Sequence, residues 1–280
     1  MQTVAIIGVG LIGGSFGLAL RKAGFAGEIL GVSSPAAIET GIAVRAISRG
    51  TTLEEAAETA DLIYLAQPVD RILKTLESLG RMARKECLIT DAGSTKGAIV
   101  QKALECVISA EFLGGHPLAG KEQRGAEWGD ADLFRARPYV LTPAGARTAA
   151  AESFRLWLVR MGAQLIDLTP AEHDAVVALS SHLPQLVASA LANTLASQKN
   201  ANVKQVFGPG LLDMTRLALS SSELWESIFA TNQTEILRAV DAFMKSVGTL
   251  RDAVARGDLR EPFRPGASFA RELRNVPCAS

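Results

Sequence analysis

Thr3-Val4-Ala5-Ile6-Ile7-Gly8-Val9-Gly10-Leu11-Ile12-Gly13-Gly14-Ser15 lies at the start of the chain, and its reading decides the fold. The apolar run Thr3–Gly8 is rich in β-branched residues, which suit a pleated, packed surface, so it is expected to be a strand. Gly8 permits the tight turn out of that strand. Gly10 lets backbone approach a diphosphate closely, and Gly13 lets the next helix press against the strand. That helix, expected over Ile12–Ala23, turns its N-terminal N–H groups and dipole toward the phosphates. Strand, glycine turn and helix in this order predict a dinucleotide site built on Gly8, Gly10, Leu11, Ile12 and Gly13. With no basic stretch ahead of it, the apolar run reads as a strand rather than a signal peptide.

Outward from this unit, short β-branched runs alternate with helical stretches to about residue 169. Further strands are expected at Glu28–Ser33, Asp61–Ala66, Glu86–Asp91, Glu111–Gly114, Tyr139–Thr142 and Gln164–Leu168, with helices such as Val69–Met82 and Ala149–Met161. That alternation predicts an α/β Rossmann-type domain with a mainly parallel sheet. After Thr169-Pro170, Ala, Leu and Ser dominate, and helical periodicity persists to about Arg256. The tail from Gly257, with Pro262, Pro265 and Gly266, is expected to wrap loosely before a last short helix. The domains are therefore expected at 1–169, binding a dinucleotide, and 170–280, all-α, binding substrate and making a dimer.

Composition narrows the partners. Hydrophobic residues at 48% and charged residues at 21% describe a soluble globule. Lys plus Arg and Asp plus Glu are 29 each, so no net field gathers nucleic acid or an anionic membrane. Cys87, Cys106 and Cys278 are far apart and without CxxC spacing. They exclude a disulfide scaffold or thiolate zinc site and point to a reducing, cytoplasmic setting; no metal is expected. The uncharged stretch 175–198 is long enough to span a membrane, but Ser180, Ser181, His182, Pro184, Gln185, Ser189 and Asn193 interrupt it. It reads as a helix buried in protein. So much apolar surface in a helical domain predicts a homodimer, whose interface resembles a core cut in half.

Several side chains carry chemistry. The second strand ends at Ser33, 20 residues beyond Gly13, where an acid would hold the ribose diol of NAD. Ser33-Ser34-Pro35 stands there instead. Without an acid to repel a 2′-phosphate, NADP is expected to be accepted, with NAD as a substitute. Gln67-Pro68 and Asp91–Lys96 follow strands, so they belong beside the cofactor. Ser94 or Thr95 is either a helix N-cap or a functional hydroxyl, and both readings stand. In the loop Gly114-Gly115-His116-Pro117-Leu118-Ala119-Gly120, Pro117 forces His116 toward extended backbone and the glycines leave space beside its ring. Such a histidine can take a proton from a substrate hydroxyl near neutral pH. His182, inside the apolar helix, reads by itself as a core residue, and His173, between Glu172 and Asp174, as solvated surface. Arg216 on an apolar helix needs an anion, either Asp213 or a substrate carboxylate. Trp225 and Asn232, seven residues apart, are expected on one helical face.

These pieces, in this order, resemble the prephenate and arogenate dehydrogenase family of tyrosine biosynthesis. The resemblance rests on the glycine turn Gly8–Ser15, the loop Asp91–Gly97, the loop Gly114–Gly120, Ser181–Pro184, Asp213–Arg216 and Trp225–Asn232. It implies a homodimer and the oxidative decarboxylation of prephenate to 4-hydroxyphenylpyruvate with hydride transfer to NAD(P), or of arogenate to tyrosine. By resemblance His116 is the catalytic histidine, Ser94 the serine that orients it, His182 a second active-site histidine, and Arg216 the anchor of the ring carboxylate. Glu122, Trp225 and Asn232 fall on pocket positions. Lys121 and Gln185 depart from the family pattern, which bears on side-chain preference; Glu122 favours prephenate. With no chorismate mutase segment or regulatory domain evident, feedback by tyrosine is expected to act at the active site. Two rivals share parts of this plan. A β-hydroxyacid dehydrogenase needs a lysine where none occurs between Lys121 and Lys199, and a non-catalytic nucleotide sensor needs no His116–Ser94 pair.

Overall fold

A computed structural model describes residues 1–143 and 148–275; Cys278 lies outside the described residues. Its strands are β1 (Thr3–Ile7), β2 (Glu28–Val32), β3 (Arg49–Gly50), β4 (Leu62–Leu65), β5 (Leu88–Asp91), β6 (Glu111–Pro117), β7 (Pro138–Pro143) and β8 (Gln164–Asp167). They form one sheet in the order β3-β2-β1-β4-β5-β6-β7-β8. The first six in chain order run parallel; β7 pairs antiparallel with β6, and β8 runs with β7. The helices are α1 (Leu11–Lys22), α2 (Pro35–Ala43), α3 (Leu53–Thr59), α4 (Val69–Leu79), α5 (Gly97–Cys106) and α6 (Ala149–Arg160). They continue with α7 (Pro170–Val177), α8 (Leu183–Ala196), α9 (Pro209–Thr215), α10 (Ser222–Thr231), α11 (Gln233–Arg256) and α12 (Arg260–Asn275). Two compact units result: Met1–Asp174 with Glu223–Thr231, and Ala175–Ser222 with the chain from Asn232 on.

In the first unit both faces of the sheet are covered, so its central strands are apolar on both sides rather than alternating. Along β1, Val4 and Ile6 enter one core while Ala5 and Ile7 enter the other. The first core includes Phe16 of α1 stacked on Tyr64 at 3.8 Å, with Phe154 and Tyr139 beside it. The second gathers Ile72, Leu76, Ile89 and Ile99, and Ile228 of α10 joins them. Each such side chain contributes about 1.5–3 kcal/mol by leaving water. Gly8 has φ +98°, and a Cβ on Gly13 would lie 2.1 Å from the Gly8 carbonyl oxygen. Glycine at both places is what lets α1 follow β1 so closely.

The second unit departs from expectation in three places. The chain from Pro170 to Ala196 is one helical run, but Ala178–His182 is a π-helical turn. Pro184 explains it, since a regular α-turn would drive the proline ring into the carbonyl of Ser180. Expected to be buried in protein, this run is largely uncovered within the chain: only 28% of its most apolar stretch is buried, and Val176 and Leu179 are exposed. The tail is a 16-residue helix, α12, rather than a loose wrap. Gly257, at φ +73°, ends α11 in the left-handed conformation. Pro262 then falls in the first turn of α12, where its missing N–H costs nothing.

Candidate active site

The carboxyl ends of the parallel strands gather the residues expected to meet a cofactor. A Cβ on Gly10 would meet no protein atom within 4 Å, so the backbone there borders open space. No side chain caps α1 at Gly10, and its first turn holds no acid. Uncapped N–H groups of Leu11, Ile12 and Gly13 beside that space fit a diphosphate. Ser33 and Ser34 are exposed at the end of β2, and Ser34 Oγ accepts from the N–H of Ala37 as the cap of α2. Gln67 and Pro68 follow β4, where Gln67 Oε1 accepts from the Thr75 hydroxyl at 2.8 Å and Pro68 precedes α4. The residues present therefore fit a dinucleotide, whose diphosphate the uncapped turn from Gly8 to Gly13 has room to receive.

Asp91 ends β5, but its carboxylate faces inward. It is fully buried, ion-paired with Lys96 Nζ, and accepts from the N–H groups of Gly93 (2.8 Å) and Gly115 (3.0 Å). Lys96 Nζ also donates to the Gly115 carbonyl at 2.7 Å. Burial pushes the Lys96 ammonium down, and Asp91 opposes that shift. This fully paired cluster fixes β6 against β5. The structure also changes the role of the glycines beside His116. They do not make room at its ring: a Cβ on Gly115 would lie 2.6 Å from the Asp91 carbonyl oxygen, and one on Gly114 2.1 Å from Thr142 Oγ1. They let β6 close on its neighbours. His116 itself lies on β6 rather than in a loop, opposite Val140 of β7, and is 8% exposed.

The partner at its ring corrects another expectation. His173 is not on the surface; it is 0% exposed. Its Nε2 lies 2.8 Å from His116 Nδ1, and its Nδ1 lies 2.7 Å from Asp174 Oδ1. Asp174 also accepts from the N–H groups of Lys96 (2.7 Å) and Gly97 (2.8 Å), thereby capping α5. Neither Ser94 nor Thr95 caps that helix; Thr95 Oγ1 lies 2.8 Å from Thr231 Oγ1, and Ser94 is half-buried in the segment between β5 and α5. Burial alone would raise the Asp174 carboxyl, but hydrogen bonds from His173, Lys96 and Gly97 hold it below the usual range. Burial pushes the His173 imidazole down, against the pull of Asp174. His173, Asp174 and Lys96 are functional candidates that sequence reasoning missed. One signal was present: the His-Asp pair stands directly before the uncharged stretch from Ala175.

Glu122 is exposed on the connection between β6 and β7. Beside it, Lys121 pairs with Asp130 at 2.9 Å, which holds that carboxyl low. Trp225 packs against Phe229 at 5.4 Å and adjoins the second core. It does not share a helix with Asn232, because α10 ends at Thr231 and Asn232, at φ −130°, precedes α11.

In the second unit His182 is 1% exposed on the π-helical turn, and its Nδ1 lies 3.3 Å from Asn232 Nδ2. The structure thus joins two residues expected to meet substrate. Gln185 donates to the Leu217 carbonyl at 3.0 Å. Arg216 follows the apolar helix α9, and both it and Asp213 are exposed. Among the described residues no cluster of His, Cys, Asp and Glu is placed to hold a metal ion.

A doubly wound sheet with an uncapped glycine turn defines a dinucleotide-binding fold, and the same unit holds the imidazole pair. Residues 16–188 match the family model "Prephenate dehydrogenase, nucleotide-binding domain", and residues 169–265 match "Prephenate dehydrogenase, dimerization domain". A prephenate dehydrogenase of Bacillus subtilis is 34% identical over 94% of this chain and 73% of its own length. The crystal structure of Aquifex aeolicus prephenate dehydrogenase, in complex with hydroxyphenyl propionate and NAD+, superposes with a TM-score of 0.90. It is 30% identical, with 99% of each chain covered. Synechocystis arogenate dehydrogenase follows at 28% identity and TM-score 0.81, over 98% of this chain and 100% of that one. The chain belongs to the prephenate dehydrogenase family, with its Rossmann-type nucleotide-binding domain and helical dimerisation domain.

Proposed function

We propose that the protein is a prephenate dehydrogenase, converting prephenate to 4-hydroxyphenylpyruvate and CO2 as it reduces NAD(P). The observation that carries this reading is His116, held at the carboxyl end of β6 with Nδ1 engaged by His173, so that Nε2 is the nitrogen for chemistry. A bound nicotinamide would supply the acceptor for the hydride of the carbinol carbon. His116 takes the hydroxyl proton and returns it to the phenolate oxygen left when CO2 departs and the ring becomes aromatic. We assign Ser94 to orient His116 and substrate, Arg216 to hold the ring carboxylate, and His182 to the side chain, with Glu122, Trp225 and Asn232 at the pocket. Residues 1–169 serve as the dinucleotide domain and 170–280 as the substrate and dimerisation domain.

The cofactor reading favours NADP, with NAD as a substitute. The Ser34 oxygen is used in capping α2, but its hydroxyl hydrogen and that of Ser33 remain donors for a 2′-phosphate, and the N-terminus of α2 adds its dipole. Apolar side chains exposed on α11 and α12, including Leu237, Met244, Val254, Phe263 and Phe269, support a homodimer. A small carboxylic acid is its substrate, not nucleic acid or membrane. A cytoplasmic location suits the free thiols of Cys87 and Cys106.

Initial rates with prephenate and arogenate, each with NAD and NADP, test these statements together. Turnover of prephenate is expected. Activity confined to arogenate would overturn the substrate, a large preference for NAD the cofactor, and cofactor binding without turnover of either acid the enzymatic reading.

A further inference from the structure

We propose that His173 and Asp174 are positioning residues that fix His116 in a single tautomer, protonated on Nδ1 and bare on Nε2. The inference rests on the reading of His116 as the base, and it extends that reading to two side chains that do not touch substrate.

Asp174 receives N–H bonds from Lys96 and Gly97 and lies 2.7 Å from His173 Nδ1. A carboxylate so surrounded is ionised and only accepts, so His173 Nδ1 carries its hydrogen. A second proton on His173 would place a cation inside a fully buried ring, and burial lowers its affinity for that proton. His173 Nε2 is then bare and must accept. The 2.8 Å contact to His116 Nδ1 is a hydrogen bond only if His116 donates it. One tautomer of the neutral His116 ring satisfies this chain, and it leaves the lone pair on Nε2.

The same chain serves the protonated state. When the substrate hydroxyl gives its proton to Nε2, His116 becomes an imidazolium whose Nδ1–H still rests on His173, with the Asp174 charge behind it. The other charged groups near His173 are Asp91 and Lys96, which pair with each other. Capping α5 requires only the contacts of Asp174 to Lys96 and Gly97. A cap alone therefore gives no reason to bury two imidazoles edge to face, at 5.0 Å between ring centres.

With three histidines in the chain, nitrogen-15 NMR of the imidazoles resolves each ring, and His116→Asn identifies the signal of His116. The expected result is a neutral His116 protonated at Nδ1 in the wild-type protein and shifted toward the Nε2–H form in His173→Phe. In that variant kcat should fall about 10²–10³-fold, part of the larger loss seen elsewhere when a histidine base is held in the wrong tautomer, while KM for substrate and cofactor stays within about twofold. His173→Gln, whose amide can donate to Asp174 and accept from His116, should recover most of the rate. A wild-type His116 protonated at Nε2 overturns the proposal, as does a His173→Phe enzyme with unchanged kcat, or equal losses in the Phe and Gln variants. If His173→Phe does not fold, the wild-type spectrum still decides. A wild-type protein inert toward both prephenate and arogenate would refute the functional reading instead, and the tautomer would remain readable.

Discussion

Two glycines in one turn should respond to the same methyl group in opposite ways. At Gly10 the backbone, φ −100° and ψ −154°, suits alanine, and the added Cβ meets nothing within 4 Å. Losing glycine at the N-cap costs up to about 1 kcal/mol, and the stiffer unfolded chain returns about 0.4–1. Gly10→Ala should therefore leave the unliganded melting temperature within about 3 °C. The methyl does, however, fill the space where a diphosphate approaches the α1 N–H groups. Losing one hydrogen bond to a charged oxygen costs about 1.5–3 kcal/mol, or roughly 10- to 150-fold in cofactor Kd. At Gly13 the same methyl would lie 2.1 Å from the Gly8 carbonyl oxygen and 2.9 Å from Ile6 Cγ2. A backbone oxygen cannot swing aside, so α1 must lift from β1, at about 1–3 kcal/mol or more. Gly13→Ala should melt about 3–10 °C lower, even without ligand. Thermal unfolding of the unliganded proteins, with cofactor titration followed by calorimetry, separates the two. Equal destabilisation by both substitutions, or a wild-type cofactor Kd for Gly10→Ala, would refute the assignment of this turn.

Other expectations are as direct. His116→Asn should bind cofactor normally and lose about 10²–10⁴-fold in kcat, and the wild-type rate should rise with pH as an imidazole deprotonates; near-normal turnover would remove His116 from the mechanism. Arg216→Ala should raise KM for prephenate far more than it lowers kcat, whereas a wild-type KM would take Arg216 out of the site. The Asp174 carboxyl is held low in the folded chain, so its contribution is full above the unfolded pKa of about 3.9 and is lost as pH falls through the lower folded value. Asp174→Asn should therefore be less stable at neutral pH, and the gap to wild type should narrow in acid melts; a gap constant with pH would contradict this. Light scattering at micromolar concentration should find a dimer, and a stable monomer would leave the exposed apolar faces of α11 and α12 unexplained.

What the sequence disclosed was local. The glycine turn, the alternation that makes the sheet, and the end of α11 at Gly257 follow from neighbouring residues and are where the reading put them. The pairing of β6 with β7 is not local, and so neighbouring residues alone point to a loop for His116, which is held on a strand. His173 shows the same limit from another side. Its neighbour Glu172 is exposed, and 100° further round the helix His173 and then Asp174 point inward, a choice that depends on where α5 begins. The apolar character of the uncharged helix is plain from its residues, yet sequence does not say whether its cover is the same chain or a second copy.

The reversal of direction at β7 has a consequence for how such an enzyme can diversify. Because β7 runs against β6, the chain leaves and re-enters the sheet at the same end of these two strands, with Leu118 N–H bonded to the Pro138 carbonyl at 2.9 Å. Further along, Asp130 N–H is tied to Ser15 Oγ at 2.9 Å, and Phe134 is sunk in the core. Between these posts, residues 120–124 are exposed. Loops tolerate such changes cheaply, each doubling of length costing about 0.6 kcal/mol. Insertions, deletions and charge reversals can therefore accumulate around Lys121 and Glu122 while the strands that hold Asp91 and His116 stay as they are. If the proposed function holds, descendants of one ancestor could part company in their choice of acid through this short overhang, and inherit the imidazole pair unaltered.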